Sequence, residues 1–215
     1  MKRITLIAFA VSAFTYLLTI GYAPYPGSPL VKALPVLILL GVAWVSLRGR
    51  ARAFMAVALL LSACGDIFLE LNSFTLGLAS FLIAQLSYAG YFFSQRDSAT
   101  LPLGRLAVVL AIMLAVSFPV VSNAGELFIP VAIYMSAIAL MGIGAALFRQ
   151  PSGIVFAGAL LFVASDSMIG INKFVMPLPG SHYPIMITYY AAQLLILWGV
   201  MQSGEAHSVQ SKAVG

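Results

Sequence analysis

Two stretches, LLSACGDIFLELNSF at 60–74 and LLFVASDSMIGINKF at 160–174, decide how this chain folds. Each is an apolar run with an aspartate set inside it, Asp66 in the first and Asp166 in the second. At an offset of 100 residues, Leu60, Leu61, Asp66, Asn72 and Phe74 fall on Leu160, Leu161, Asp166, Asn172 and Phe174. The segments that follow share a tripeptide, Ala84-Gln85-Leu86 and Ala192-Gln193-Leu194. Extended to its flanking turn residues, each run reaches the roughly 20 residues that a helix needs to cross a bilayer. An ionisable side chain at that depth costs several kcal/mol, which makes it a candidate for function.

The rest of the chain has the same character. Of 215 residues, 62% are hydrophobic and 8% are charged, against roughly 25% charged in a soluble domain. Eight segments are long and apolar enough to span, at about 4–22, 30–47, 53–71, 74–93, 103–121, 128–148, 154–174 and 183–201. Turn residues separate them, among them Pro24-Tyr25-Pro26-Gly27, Asn123-Ala124-Gly125 and Pro177-Leu178-Pro179-Gly180. The run after Met1-Lys2-Arg3 exceeds the core of a secretory signal, so it is expected to be a retained first helix. The expected fold is therefore an all-α membrane protein. Residues 1–202 form one eight-helix transmembrane domain, and 203–215 form a polar, disordered tail. No room is left for a soluble catalytic or nucleic-acid-binding domain.

The net charge is +5, but the cations lie between the apolar runs, where they report topology rather than a nucleic-acid partner. With the N-terminus inside, Lys2, Arg3, Arg48, Arg50, Arg52, Arg96, Arg105, Arg149 and Lys212 are cytoplasmic. Only Lys32 and Lys173 are then outside. The bias predicts both termini in the cytoplasm, as an even number of spans requires. It also makes the third and seventh spans run in the same direction. The internal similarity is then a parallel repeat of four helices plus four, an arrangement known in transporters.

The six acids of the chain divide by place. Asp97 and Glu205 fall at cytoplasmic ends and Glu126 in an outer loop, where each is expected to be solvated. Asp66 and Asp166 lie within spans, and Glu70 is one helical turn from Asp66, on the same face. A repeat axis would turn the two aspartates toward each other. Of two carboxyl groups in one low-dielectric site, one is expected to keep its proton, which places an acid beside a base.

Polar residues gather around them: Asn72, Ser165, Asn172 and Lys173 on the aspartate helices, Gln85, Tyr88, Tyr189, Tyr190 and Gln193 on the next ones. These are candidate substrate contacts; interhelical hydrogen bonding or an interfacial aromatic belt would equally use them. Lys173 would snorkel to the interface, pair with Glu70 or meet a phosphate head group. Cys64 alone permits no intrachain disulfide and reads as a packing residue. His182, in an outer loop, and His207, in the tail, are too far apart to build a metal site, and no metal is expected. Nucleotide-binding motifs and a serine-histidine pair are absent from the sequence.

Gly65-Asp66-Ile67-Phe68-Leu69, GLASFLIAQLSYAGYF at 77–92, LFVASDSMIGINKF at 161–174 and Thr188-Tyr189-Tyr190-Ala191-Ala192-Gln193 together resemble the YhhN family of membrane proteins. The similarity runs in order along nearly the whole chain. One departure is Gln85, where many members carry histidine. Because members include lysoplasmalogenases, the resemblance implies a lysophospholipid substrate and hydrolysis of its vinyl ether bond. A fatty aldehyde and a glycerophospho-alcohol would be released, without a cofactor. It implies catalysis by Asp66 and Asp166, with Asn172 and Lys173 as head-group contacts. The chain would sit in a bacterial inner membrane. The same acids would also suit a proton-coupled carrier, and a non-catalytic lipid-binding scaffold is a third possibility.

Overall fold

The computed structural model describes the backbone of residues 1–96, 101–149 and 152–213, and the side chains of these as far as Ser203, Ser152 excepted. Among the described residues it contains eight α-helices. They are α1 (Arg3–Thr19), α2 (Ser28–Ser46), α3 (Gly49–Glu70), α4 (Phe74–Ser94), α5 (Leu103–Ser122), α6 (Phe128–Leu147), α7 (Ser152–Phe174) and α8 (His182–Ala213). All eight are long and apolar enough to cross a membrane. The surface agrees with that: Ile7, Val11, Phe14, Val45, Leu114 and Phe118 are large apolar side chains left exposed. Water would penalise such a surface, and hydrocarbon does not. The polar tail expected over 203–215 overlaps the end of α8, and its side chains after Ser203 lie outside the described residues, as does Asp97.

One boundary falls earlier than the hydropathy of the chain suggests. The third span was expected to begin at residue 53, but α3 begins at Gly49 and takes in Arg50 and Arg52. Arginine is a good helix former, and its long stem lets the guanidinium leave the apolar zone. Arg52 does this by donating from Nε to the Leu47 carbonyl at 2.7 Å while lying over the Trp44 ring.

α3 and α4 are joined by a very short turn. Asn72 adopts φ 58, the left-handed conformation that asparagine tolerates better than most residues. Its N–H reaches the Leu69 carbonyl at 3.1 Å, and the Ser73 N–H reaches Phe68 at 2.8 Å. These two bonds satisfy the carbonyls a helix end leaves open. The chain therefore reverses at once, and α4 packs along α3.

Packing follows a pattern shared by the two halves of the chain. The closest partners are α3 with α4 and α7 with α8; α2 packs on α3 as α6 does on α7, and α4 meets α6 as α8 meets α2. Small residues allow the helices to approach. A Cβ on Gly65 would stand 2.5 Å from the Phe81 ring, and one on Gly158 would stand 2.9 Å from the Ile196 backbone nitrogen. At the opposite end from Asn72, Arg96 and Phe148 form an antiparallel bridge that ties the end of α4 to the end of α6.

Candidate active site

Asp66 sits one turn before the end of α3, and Asp166 two turns before the end of α7. Both are buried, at 2% and 4% exposure. Both line a single cavity of about 300 Å³ at the Asn72 end of the bundle. Its wall includes Lys32 from α2, Glu70 from α3, Ser165 and Asn172 from α7, and His182, Met186 and Tyr189 from α8.

Each aspartate is held by helices from the other half of the chain or by a neighbour in its own. The Tyr189 hydroxyl on α8 donates to Asp66 Oδ2 at 2.8 Å. Asp166 Oδ2 accepts two bonds at 2.8 Å, from Gln85 Nε2 on α4 and from the Tyr134 hydroxyl on α6. Where the accepting carboxyl group is ionised, such bonds are charge-assisted and among the stronger ones available to it. One oxygen of each aspartate is thereby fixed, so the direction of the other is fixed too.

Further hydrogen bonds and ring contacts tie the surrounding helices together. The Tyr88 hydroxyl donates to Gln193 Oε1, and the Tyr190 hydroxyl donates to the Lys32 carbonyl at 2.7 Å. Tyr189 lies edge-on to Phe81, Phe162 and, at a tilt, to Tyr190. Ser165 Oγ donates to the Ile185 carbonyl, which ties α7 to α8 beside the cavity. Asn172 Oδ1 accepts from the Leu178 N–H at 2.7 Å and so shapes the loop before α8.

Of the residues singled out from sequence, Asp66, Glu70, Asn72, Ser165, Asp166, Asn172 and Tyr189 line the cavity. Gln85, Tyr88, Tyr190 and Gln193 are buried behind it. Lys173 is exposed and lies over the Phe74 ring at 5.1 Å. A pairing of Lys173 with Glu70 was one expectation, and it is corrected here. Glu70 instead meets Lys32 of α2, whose Nζ donates to Oε2 at 3.4 Å, and the Tyr16 hydroxyl of α1 donates to the same oxygen at 2.9 Å. The physical reason is that Glu70 points inward from α3 toward α1 and α2, whereas Lys173 points out from α7.

Sequence reasoning missed Lys32, Tyr16, Tyr134 and the cavity-lining position of His182. Lys32 carried a usable signal, being a cation inside an apolar run, but it was read only as a mark of topology. Tyr134 carried none, since one tyrosine in an apolar helix is commonplace. Among the described residues, no three of His, Cys, Asp and Glu converge where they could hold a metal ion.

Residues 27–200 match the YhhN family. The chain belongs to that family. The resemblance read from the Gly-Asp and Ser-Asp segments is thus borne out. Relatives within reach of this YhhN-family chain include a lysoplasmalogenase from Mycobacterium bovis, 35% identical over 202 residues, which cover 86% of this chain and 77% of the relative. The human lysoplasmalogenase TMEM86B is 38% identical over 178 residues, covering 81% and 75%. The bovine lysoplasmalogenase TMEM86A is 32% identical over 202 residues, covering 83% and 80%. No solved structure matches the chain.

Proposed function

We propose that this chain is a membrane-embedded hydrolase that cleaves the vinyl ether bond of a lysoplasmalogen, releasing a fatty aldehyde and a glycerophospho-alcohol. One observation carries the reading: Asp66 and Asp166, from two different helices, line one cavity. The names of the relatives supply the substrate class.

A vinyl ether hydrolyses by protonation at the carbon remote from oxygen, which leaves an oxocarbenium ion. Water adds to that cation and loses a proton, giving a hemiacetal that collapses to aldehyde and alcohol. The slow step requires a positioned acid and a negative charge near the developing cation. Glycosidases meet a related cation with two carboxyl groups. Here one aspartate delivers the proton to carbon, and the other, as carboxylate, faces the cation and takes the proton from water. Tyr189, Gln85 and Tyr134 aim the two carboxyl groups without joining the reaction.

The cavity also suits the two ends of a single-chain lipid. Its polar wall would take the glycerophospho part. A narrow apolar chamber of about 30 Å³ adjoins it, sharing Leu69, Phe81, Asp166 and Ile169 with it. That chamber shares Leu78 in turn with an apolar groove of about 260 Å³ between α4 and α6, lined by Leu82, Ile129 and Ile133. In this reading the hydrocarbon chain lies along the series, and the vinyl ether bond stops where the polar and apolar parts meet, beside Asp166.

Two further parts of the reading concern topology. In this reading the end of the bundle where α3 and α5 start, with both termini, faces the cytoplasm of a bacterial inner membrane, and the arginines at the start of these two helices support the orientation. The halves form a parallel repeat, a reading supported by the shared packing pattern and by contact between the matched residues Phe74 and Phe174, whose centroids are 5.8 Å apart.

The test is aldehyde release from a lysoplasmalogen by the purified full chain in detergent. Release supports the enzyme. No release, with movement of substrate across sealed vesicles, would overturn it in favour of a carrier.

A further inference from the structure

Five buried side-chain atoms have no hydrogen-bond partner among the described residues: Ser62 Oγ, Glu70 Oε1, Gln85 Oε1, Ser167 Oγ and Gln193 Nε2. Glu70 alone of these five residues lines the cavity. Its side chain is 7% exposed, and its other oxygen is already engaged by Tyr16 and Lys32. An ionised carboxylate is acceptor-only, so Oε1 calls for a donor from whatever enters. Lys32 lines the same wall, with its side chain 10% exposed, and an ammonium has three N–H groups to offer. The wall therefore carries an unpaired acceptor beside a cation.

A lysoplasmalogen has the complementary pair of groups. Its glycerol carries a free hydroxyl at sn-2, next to the carbon that bears the vinyl ether, and a phosphodiester on the other side. Glu70 is one turn from Asp66 along α3, a rise of about 6 Å, so it stands beside the reacting bond rather than at a distant head group. Resting on the function proposed above, we propose that the Lys32–Glu70 pair selects the lyso form of the lipid. Glu70 Oε1 accepts the sn-2 hydroxyl, and Lys32 Nζ meets the phosphodiester. A lipid substituted at sn-2 offers no donor and leaves the buried oxygen unpaired, a penalty that hydrogen-bonding sites use to reject such analogues.

The experiment compares a choline and an ethanolamine lysoplasmalogen, each with its 2-methoxy analogue, using purified protein in detergent. The wild type should favour the free hydroxyl at least tenfold in kcat/KM. Glu70→Gln should lose that preference, chiefly by a higher KM for the hydroxyl substrate. Tyr16 and Lys32 would hold the amide oxygen, leaving an NH₂ group that hydroxyl and methoxy oxygen satisfy equally. Lys32→Met should raise KM for both substrates alike. Because Glu70→Gln alone leaves Lys32 without its counter-charge, the neutral pair Lys32→Met/Glu70→Gln is run beside it and should lose the preference too.

A Glu70→Gln protein that keeps the wild-type preference would overturn the proposal. So would a loss confined to ethanolamine lipids, which would make the head-group ammonium the donor. If the wild type released no aldehyde from any substrate, the proposed activity itself would fail. Binding of a saturated 1-alkyl lysophosphocholine would then decide the inference separately. Affinity at least tenfold weaker in Glu70→Gln supports it, and unchanged affinity overturns it.

Discussion

Phe81 of α4 and Tyr189 of α8 lie four residues before Gln85 and Gln193 respectively, and their rings meet edge-on with centroids 5.8 Å apart. Matched places in the two halves thus touch across the site, but only one of them carries a hydroxyl. That hydroxyl is donated to Asp66, whereas Asp166 draws its donors from Gln85 and Tyr134. The two aspartates therefore have different donor sets, which suits the separate acid and base roles proposed for them.

Tyr189→Phe removes one hydroxyl from that frame and keeps the ring contacts. A hydrogen bond to a charged group contributes about 1.5–3 kcal/mol. If much of that serves to position Asp66, aldehyde release should fall roughly 10- to 100-fold in a protein that keeps the wild-type elution profile. Wild-type kcat/KM in a folded Tyr189→Phe protein would show that Asp66 is aimed by something else.

The proposed path of the hydrocarbon chain depends on Leu78, which borders both the inner chamber and the groove between α4 and α6. Leu78→Trp should obstruct that junction. Turnover of long-chain lysoplasmalogens should drop at least tenfold, while a short-chain vinyl ether should be affected much less. Equal losses on both substrates would place the chain elsewhere.

Gly65 leaves room for the Phe81 ring of α4 next to Asp66, since a Cβ there would meet that ring at 2.5 Å. Gly65→Ala should therefore cost about 1–3 kcal/mol through overpacking, read as a lower thermal midpoint in detergent. Adding Phe81→Leu should recover part of the loss. No recovery would indicate that the ring is not what the new methyl strikes.

Much of this architecture was legible in the chain itself, because a bilayer imposes a strict length and hydropathy on each helix. The eight spans fell close to where expected, apart from the four-residue extension at Gly49 and the continuation of α8 past residue 201 to Ala213. Asp66 and Asp166 stood out for the same reason: an acid in an apolar run is costly enough to demand an explanation. What could not be read was which side of each helix faces which neighbour. Asn172 was expected to meet a head group, yet it also holds the Leu178 N–H, and Asn72 also makes the left-handed turn between α3 and α4. Lys32 and Glu70 are 38 residues apart, on different helices. Their meeting depends on helix rotation, which low-contrast apolar faces do not encode locally. Tyr134 donates to Asp166 from a helix with no other polar group aimed at the site, so nothing in its surroundings distinguished it.

The central claim is that two carboxyl groups act together on one vinyl ether bond, and single conservative changes test it most directly. Asp66→Asn and Asp166→Asn, each purified in detergent and checked for wild-type elution and thermal midpoint, should both reduce aldehyde release from a lysoplasmalogen by a thousandfold or more, equivalent to about 4 kcal/mol in the barrier. If either folded variant released aldehyde at the wild-type rate, the two-aspartate mechanism would be contradicted.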